Sequence, residues 1–228
     1  MLDFGKMLSD ALPQQFLLEF EERVRAAGRL AKDVTGTLAV GKRSGPRVRG
    51  QIRTALIEQG IVDASRASGF PAEEAGALEG SELYLYQAFA RINRAVVVRA
   101  TLASSSGLPA QNKTRKRLVE QINGAFCRDF FRPELVIDDG VAPIAVFLVV
   151  TPNAAAVDGI GSINVAVVDD RYDRYLFDEP LETFMSRYVP APTPVEEPQL
   201  LSKKRAGRYV PPEESAEGSS DVKPVSKK

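Results

Sequence analysis

The sequence predicts an α+β domain: a mainly antiparallel sheet of about five strands with helices packed on one face, an N-terminal amphipathic helix and a disordered C-terminal tail. Three observations carry this expectation. Near the N-terminus, apolar residues recur at alternating spacings of three and four, the period of one helix face. The middle and second half hold runs rich in Val, Ile and aromatic residues, broken by turn-forming Gly and Asp. Residues 189–228 are rich in Pro, Glu, Ser and Lys, with too little apolar surface to offset the entropy of ordering. The chain is therefore read as an amphipathic helix over 1–35, an α+β domain over 36–188 that includes a basic Gly-rich linker at 36–50, and a disordered tail over 189–228.

Each element follows from a local pattern. Residues 13–34 form the first helix, with Leu17, Phe20, Val24, Ala27, Ala31 and Val34 on one seam. Glu19 and Glu21 stand four residues before Arg23 and Arg25, the favourable order for helix ion pairs. Pro46 opens a second helix running to about Gln59, buried through Val48, Ile52, Ala55 and Leu56, with Gly60 as its stop. Residues 61–81 read as a loop with one short helical turn. The β-prone runs 83–86 and 96–102 are then expected to pair as a hairpin through a turn at 91–94. A third helix spans about 111–126, with Leu118, Ile122, Ala125 and Phe126 inward. The unbroken apolar run 144–151 has the pattern of a central strand buried on both faces. Strands at 163–168 and 175–177 follow. Asp178 is placed to cap a last helix with Pro180 in its first turn.

Composition excludes several chemistries. The chain has no His and one Cys, so a Cys/His zinc site, a His-ligated haem, an internal disulfide and a His-based catalytic triad are all impossible. No targeting segment is visible, and the longest strongly apolar run, 144–150, is far too short to span a membrane. The expectation is a cytoplasmic protein with no membrane association, no cofactor and, more than not, no enzyme activity.

The formal net charge is zero, yet the balance is not local. Residues 23–53 carry a net +8 and residues 91–132 a net +7, against −4 over 1–22, −5 over 54–90 and −7 over 133–188. Such blocks either neutralise one another in the fold or present separate faces to a partner. Lys42, Arg43, Arg47, Arg49 and Arg53 form one dense basic set, and Lys113, Arg115, Lys116 and Arg117 beside Asn112 form the other. Each lies at a loop-to-helix entry, where backbone N–H groups also favour anions. Tyr84 and Tyr86, two apart in a strand, share one face and serve either as core or as a stacking surface.

The remaining motifs carry less. Residues 36–44 approximate a phosphate-binding loop, but Arg43 stands where that motif needs Ser or Thr, and the segment follows a helix. Gly159-Ile160-Gly161 lacks a third Gly and leads into a strand. No metal site is predicted; the acids that could form one are Asp138, Asp139, Asp169, Asp170 and Asp173. Cys127 is expected to be a buried, inert thiol. The leading functional expectation is a binding protein that contacts nucleic acid through the two basic segments. The alternatives are a protein–protein interaction module or homo-oligomer built on residues 14–34 and the Pro-rich tail, with its charges paired internally, and a magnesium-dependent hydrolase using the Asp residues.

Overall fold

A computed structural model describes residues 2–38, 41, 43–102, 107–127 and 142–188. Three helices come first: α1 (Phe4–Ala11), α2 (Gln14–Thr37) and α3 (Gly45–Ala67). Eight strands and two more helices follow: β1 (Ala72–Glu73), β2 (Gly76–Ala77), β3 (Tyr84–Leu85), β4 (Phe89–Ile92), β5 (Ala95–Ala100), α4 (Lys113–Ile122), β6 (Ile144–Pro152), β7 (Ile160–Val168), β8 (Tyr175–Pro180) and α5 (Leu181–Met185). Among the described residues, one sheet runs in the order β1-β4-β5-β6-β7-β8, and β2 pairs with β3 beside it. The β5–β6 pair is parallel, from Ala95↔Ile144 to Ala100↔Val149, and the other pairs of the sheet are antiparallel. The architecture is α+β, as the sequence predicts.

Strand β6 shows how two cores are built from one run. Ile144, Val146, Leu148 and Val150 face α1, α2, α3 and α5. Ala145, Phe147 and Val149 face α4 and the β2–β3 pair. Alternation along a strand sends successive side chains to opposite faces, so an unbroken apolar run fits only where both faces are covered. Helices thus lie on both faces of the sheet, with α4 on the side away from the other four. Burying each Val, Ile or Leu of this strand contributes about 1.5–3 kcal/mol. No helix among the described residues is long and apolar enough to cross a membrane.

The α2 seam is inside this chain's own core: Phe16, Leu17, Phe20, Val24, Ala27 and Ala31 are all buried. The preceding helix α1 has no counterpart in the sequence reading. Its eight residues span only two turns, and Asp3 caps it through the Lys6 N–H at 3.0 Å.

Helix α3 runs through Gly60 to Ala67, so that glycine is not a stop. Its site lies against α2, where a Cβ would stand 3.3 Å from Cβ of Arg23. The helix also starts at Gly45, within the stretch read as linker. Its buried residues are Ile57, Gly60, Ile61, Val62, Ala64 and Ser65, in the second half. Val48, Ile52 and Leu56 are only half-buried and Ala55 is exposed, which shifts the buried face C-terminally. Arg23 meets Asp63 at 3.7 Å and Arg49 meets Thr35 at 3.2 Å, so α2 and α3 run antiparallel.

Strand β5 pairs with residues 89–92, not with 83–86. The two-residue turn is Asn93-Arg94, with Asn93 at φ 50°, a region that Asn tolerates better than most residues. Asp178 lies in β8 and accepts from Asn164 Nδ2 at 2.9 Å; Pro180 occupies the cap of α5. Ala125 is exposed in the 3-10 turn that ends α4. In that turn the fully buried Asn123 donates to the carbonyls of Ala145 (3.3 Å) and Val168 (2.8 Å) and accepts from the Ala145 N–H (2.8 Å). It fastens α4 where the β6–β7 pairing ends. The tail read as disordered lies outside the described residues.

Candidate nucleic-acid interface

The first half of α3 carries polar residues where the second half carries core. Arg47, Gln51, Thr54 and Glu58 follow at helical spacing, which puts them on one stripe. That stripe faces an open groove of about 470 Å³, whose other wall is Arg99 and Thr101 at the C-terminal end of β5. A second cavity of about 210 Å³ lies between α3, α2 and the end of β6; Lys32, Arg49 and Arg53 line it. Arg53 and Gly50 line both. The cations therefore gather at the C-terminal end of the two parallel strands, the end at which open sheets with parallel strands commonly hold ligands.

The arginines there have few partners among the described residues. Arg53 donates to the Gly159 carbonyl at 3.2 Å, and Arg49 donates from Nε to Thr35 Oγ1 at 3.2 Å. Arg99 is 8% exposed. Its Nη2 donates to Thr54 Oγ1 at 3.3 Å and its Nη1 lies 3.5 Å from the Glu58 carboxylate. Its Nε has no partner among the described residues. Burial lowers the pKa of Arg53, and the charge of Arg49 lowers it further. Burial also lowers Arg99; Glu58 opposes this, while Arg115 and Arg53 add to it. A guanidinium stays charged in a protein, so these shifts register burial first and, after it, the nearness of other arginines. That environment favours an incoming anion.

The α4 segment is organised differently. Asn112 caps the helix, accepting the Arg115 N–H at 2.7 Å. Arg115 turns inward and is 8% exposed. Its Nε and Nη2 donate to Gln87 Oε1 at 3.2 and 2.9 Å, Nη1 to the Ala110 carbonyl at 2.7 Å, and Nη2 also to the Arg99 carbonyl at 3.0 Å. Burial again lowers its pKa, against the influence of Tyr172 and Glu58. Lys113, Lys116 and Arg117 are exposed, with Lys116 3.8 Å from Glu120. The two basic segments thus meet at one residue. Arg99 sends its guanidinium toward α3 and gives its carbonyl to Arg115.

Arg43 and Arg47 are exposed, and Lys42 lies outside the described residues. Tyr84 and Tyr86 are not core: they are 46% and 79% exposed, with ring centroids 4.7 Å apart. The intervening Leu85 is buried, and Gln87, next to Tyr86, holds Arg115. The sequence reading did not single out Arg99, Thr54, Glu58 or Gln87. The available signal was Arg99 itself, a lone charge inside the apolar run 96–100, since an unpaired charge is seldom placed in a buried strand.

The acidic candidates serve a turn. Asp169 is buried and accepts the N–H groups of Asp173 (2.9 Å) and Arg174 (3.3 Å), and it pairs with Arg174 Nε at 3.3 Å. Burial works against its charge, but the hydrogen bonds from Asp173 and Arg174 hold its carboxyl below the usual range; Asp173, sharing one of them, is raised. Asp138 and Asp139 lie outside the described residues. Among the described residues no three acidic or cysteine side chains gather as metal ligands do. Cys127 is half-buried; its thiol donates to the Asn123 carbonyl and accepts the Asp170 N–H, both at 3.3 Å. Burial pushes it up to about 11, far from the thiolate a nucleophile needs.

No family model matches the chain, and no curated protein or solved structure matches it at a significant level.

Proposed function

We propose that this protein is a non-enzymatic cytoplasmic binding protein that contacts nucleic acid at the C-terminal end of β5, through the first half of α3 and, on the other side, the exposed cations of α4. One observation carries the reading: Arg47, Arg53 and Arg99 share a groove in which Glu58 is the one carboxylate among the described residues. Arginine forks suit phosphate oxygens, and partial burial strengthens each contact. Lys113, Lys116 and Arg117 are exposed cations on the sheet's other face, and the exposed Tyr84–Tyr86 pair offers a face on which bases stack. Arg115 is not among the contacting residues, because its donors are already occupied within the protein.

The test is a mobility-shift titration with a single-stranded oligonucleotide at several salt concentrations. With four to six phosphates neutralised, log K falls with log salt at a slope of about −3 to −4. Absence of binding at low salt, or binding that ignores salt, contradicts the proposal.

A further inference from the structure

We infer that the groove between α3 and the end of β5 is a pocket for a phosphate monoester, and that its ligand is the terminal phosphate of a nucleic-acid strand; this second step rests on the reading above.

The argument starts from Arg99. It lies at the groove's inner wall, more than nine-tenths buried, with its Nε unpartnered among the described residues. Thr54 and Glu58, one turn apart on α3, take its Nη groups and so fix the guanidinium in place. A strand's backbone diester carries substituents on both sides and one charge, so it binds along a surface. A terminal monoester carries −1.5 to −2 near neutral pH, presents three oxygens and projects from the end of the chain. Arg47, Arg53 and Arg99 against Glu58 leave the groove a surplus of two positive charges, which matches the monoester. Thr54 adds a hydroxyl, and Arg53 makes one hydrogen bond among the described residues, to the Gly159 carbonyl, so its fork can turn to the anion.

The charge state of the ligand supplies a second signature. The monoester's last proton binds with a pKa of about 6. The protein has no His, so it brings no imidazole titration to that pH range.

The full-length protein is titrated with one oligonucleotide bearing a 5′-phosphate, a 3′-phosphate or hydroxyls at both ends, at pH 7.5 and 5.5. Nucleoside monophosphate is titrated separately by calorimetry. A phosphate at one end should tighten binding about tenfold over the hydroxyl form at pH 7.5, with most of the preference lost at pH 5.5. Arg99→Lys and Thr54→Val should each bring the ratio of phosphorylated to unphosphorylated affinity toward one. Thr54→Val is a near-isosteric change at a half-buried position of α3 and serves if Arg99→Lys does not fold. Equal affinity for all three ends, with oligonucleotide binding intact, overturns the pocket and spares the nucleic-acid reading. No oligonucleotide binding overturns that reading and the strand-end ligand with it. In that case, nucleoside monophosphate binding lost in Thr54→Val supports the pocket with a free nucleotide as its source, and no monophosphate binding overturns the pocket as well.

Discussion

The two basic segments look alike in sequence, +8 and +7 at loop-to-helix entries, and differ in what the fold does with them. On α4 the central arginine is drawn inside. Arg115 donates to Gln87, Ala110 and Arg99 and holds the helix start against β5. Around α3 the cations flank open space: among the described residues Arg53 bonds one carbonyl, Arg49 one hydroxyl, and the buried Arg99 of β5 keeps an unpartnered Nε. Density of charge in a sequence therefore does not measure charge available to a partner. A guanidinium with its donors occupied is a structural cross-link, and one that lacks partners in a half-dry groove is a binding group.

The largest expected effect separates these roles. Arg115→Met leaves the Ala110 and Arg99 carbonyls and Gln87 without their donor, and should lower stability by about 3 kcal/mol in urea unfolding. A loss under about 1 kcal/mol would remove the distinction. Next comes Gly28→Ala, which probes the wall of the smaller cavity between α2 and α3. Its Cβ would stand 2.0 Å from the Asp158 carbonyl oxygen, so the loop carrying Asp158 and Gly159 must shift. A destabilisation of about 2 kcal/mol is expected, seen as a fall in melting temperature. Arg53→Met should reverse the Arg115 pattern, changing stability by no more than about 0.5 kcal/mol while weakening oligonucleotide binding about tenfold.

Smaller effects belong to the exposed α4 cations. Lys113→Ala and Arg117→Ala should each weaken binding two- to threefold and reduce the salt slope by about 0.7. The smallest effect is a predicted constancy. With no His in the chain, Cys127 raised to about 11 and arginines as the binding groups, affinity for an oligonucleotide with hydroxyl ends should vary less than about twofold between pH 6 and 8. A pronounced pH dependence there would point to a binding group other than the arginines.

Much of the fold was legible because periodicity reports burial. The α2 seam and the doubly buried β6 follow from spacing alone. Gly60 misled because a helix glycine reads as a stop, whereas here it lets α2 approach; only the tertiary contact reveals that. Residues 83–86 were paired wrongly because Leu83 and Leu85 are buried while Tyr84 and Tyr86 face outward, and the true partner of β5, 89–92, is a less conspicuous run. For the site, the α3 arginines were legible as charge, but their convergence with Arg99 was not. Arg99 lies 46 residues beyond Arg53 in the chain, and a lone strand charge does not name the helix that faces it.

The most direct test of the central claim is the salt dependence of oligonucleotide binding for the Arg47→Met/Arg53→Met double variant beside the wild type. If the α3 cations are the ones that meet phosphate, the wild type gives a slope of about −3 to −4 and the variant loses about 1.4 of it, with an unchanged melting temperature. Identical slopes for the two proteins would contradict the account.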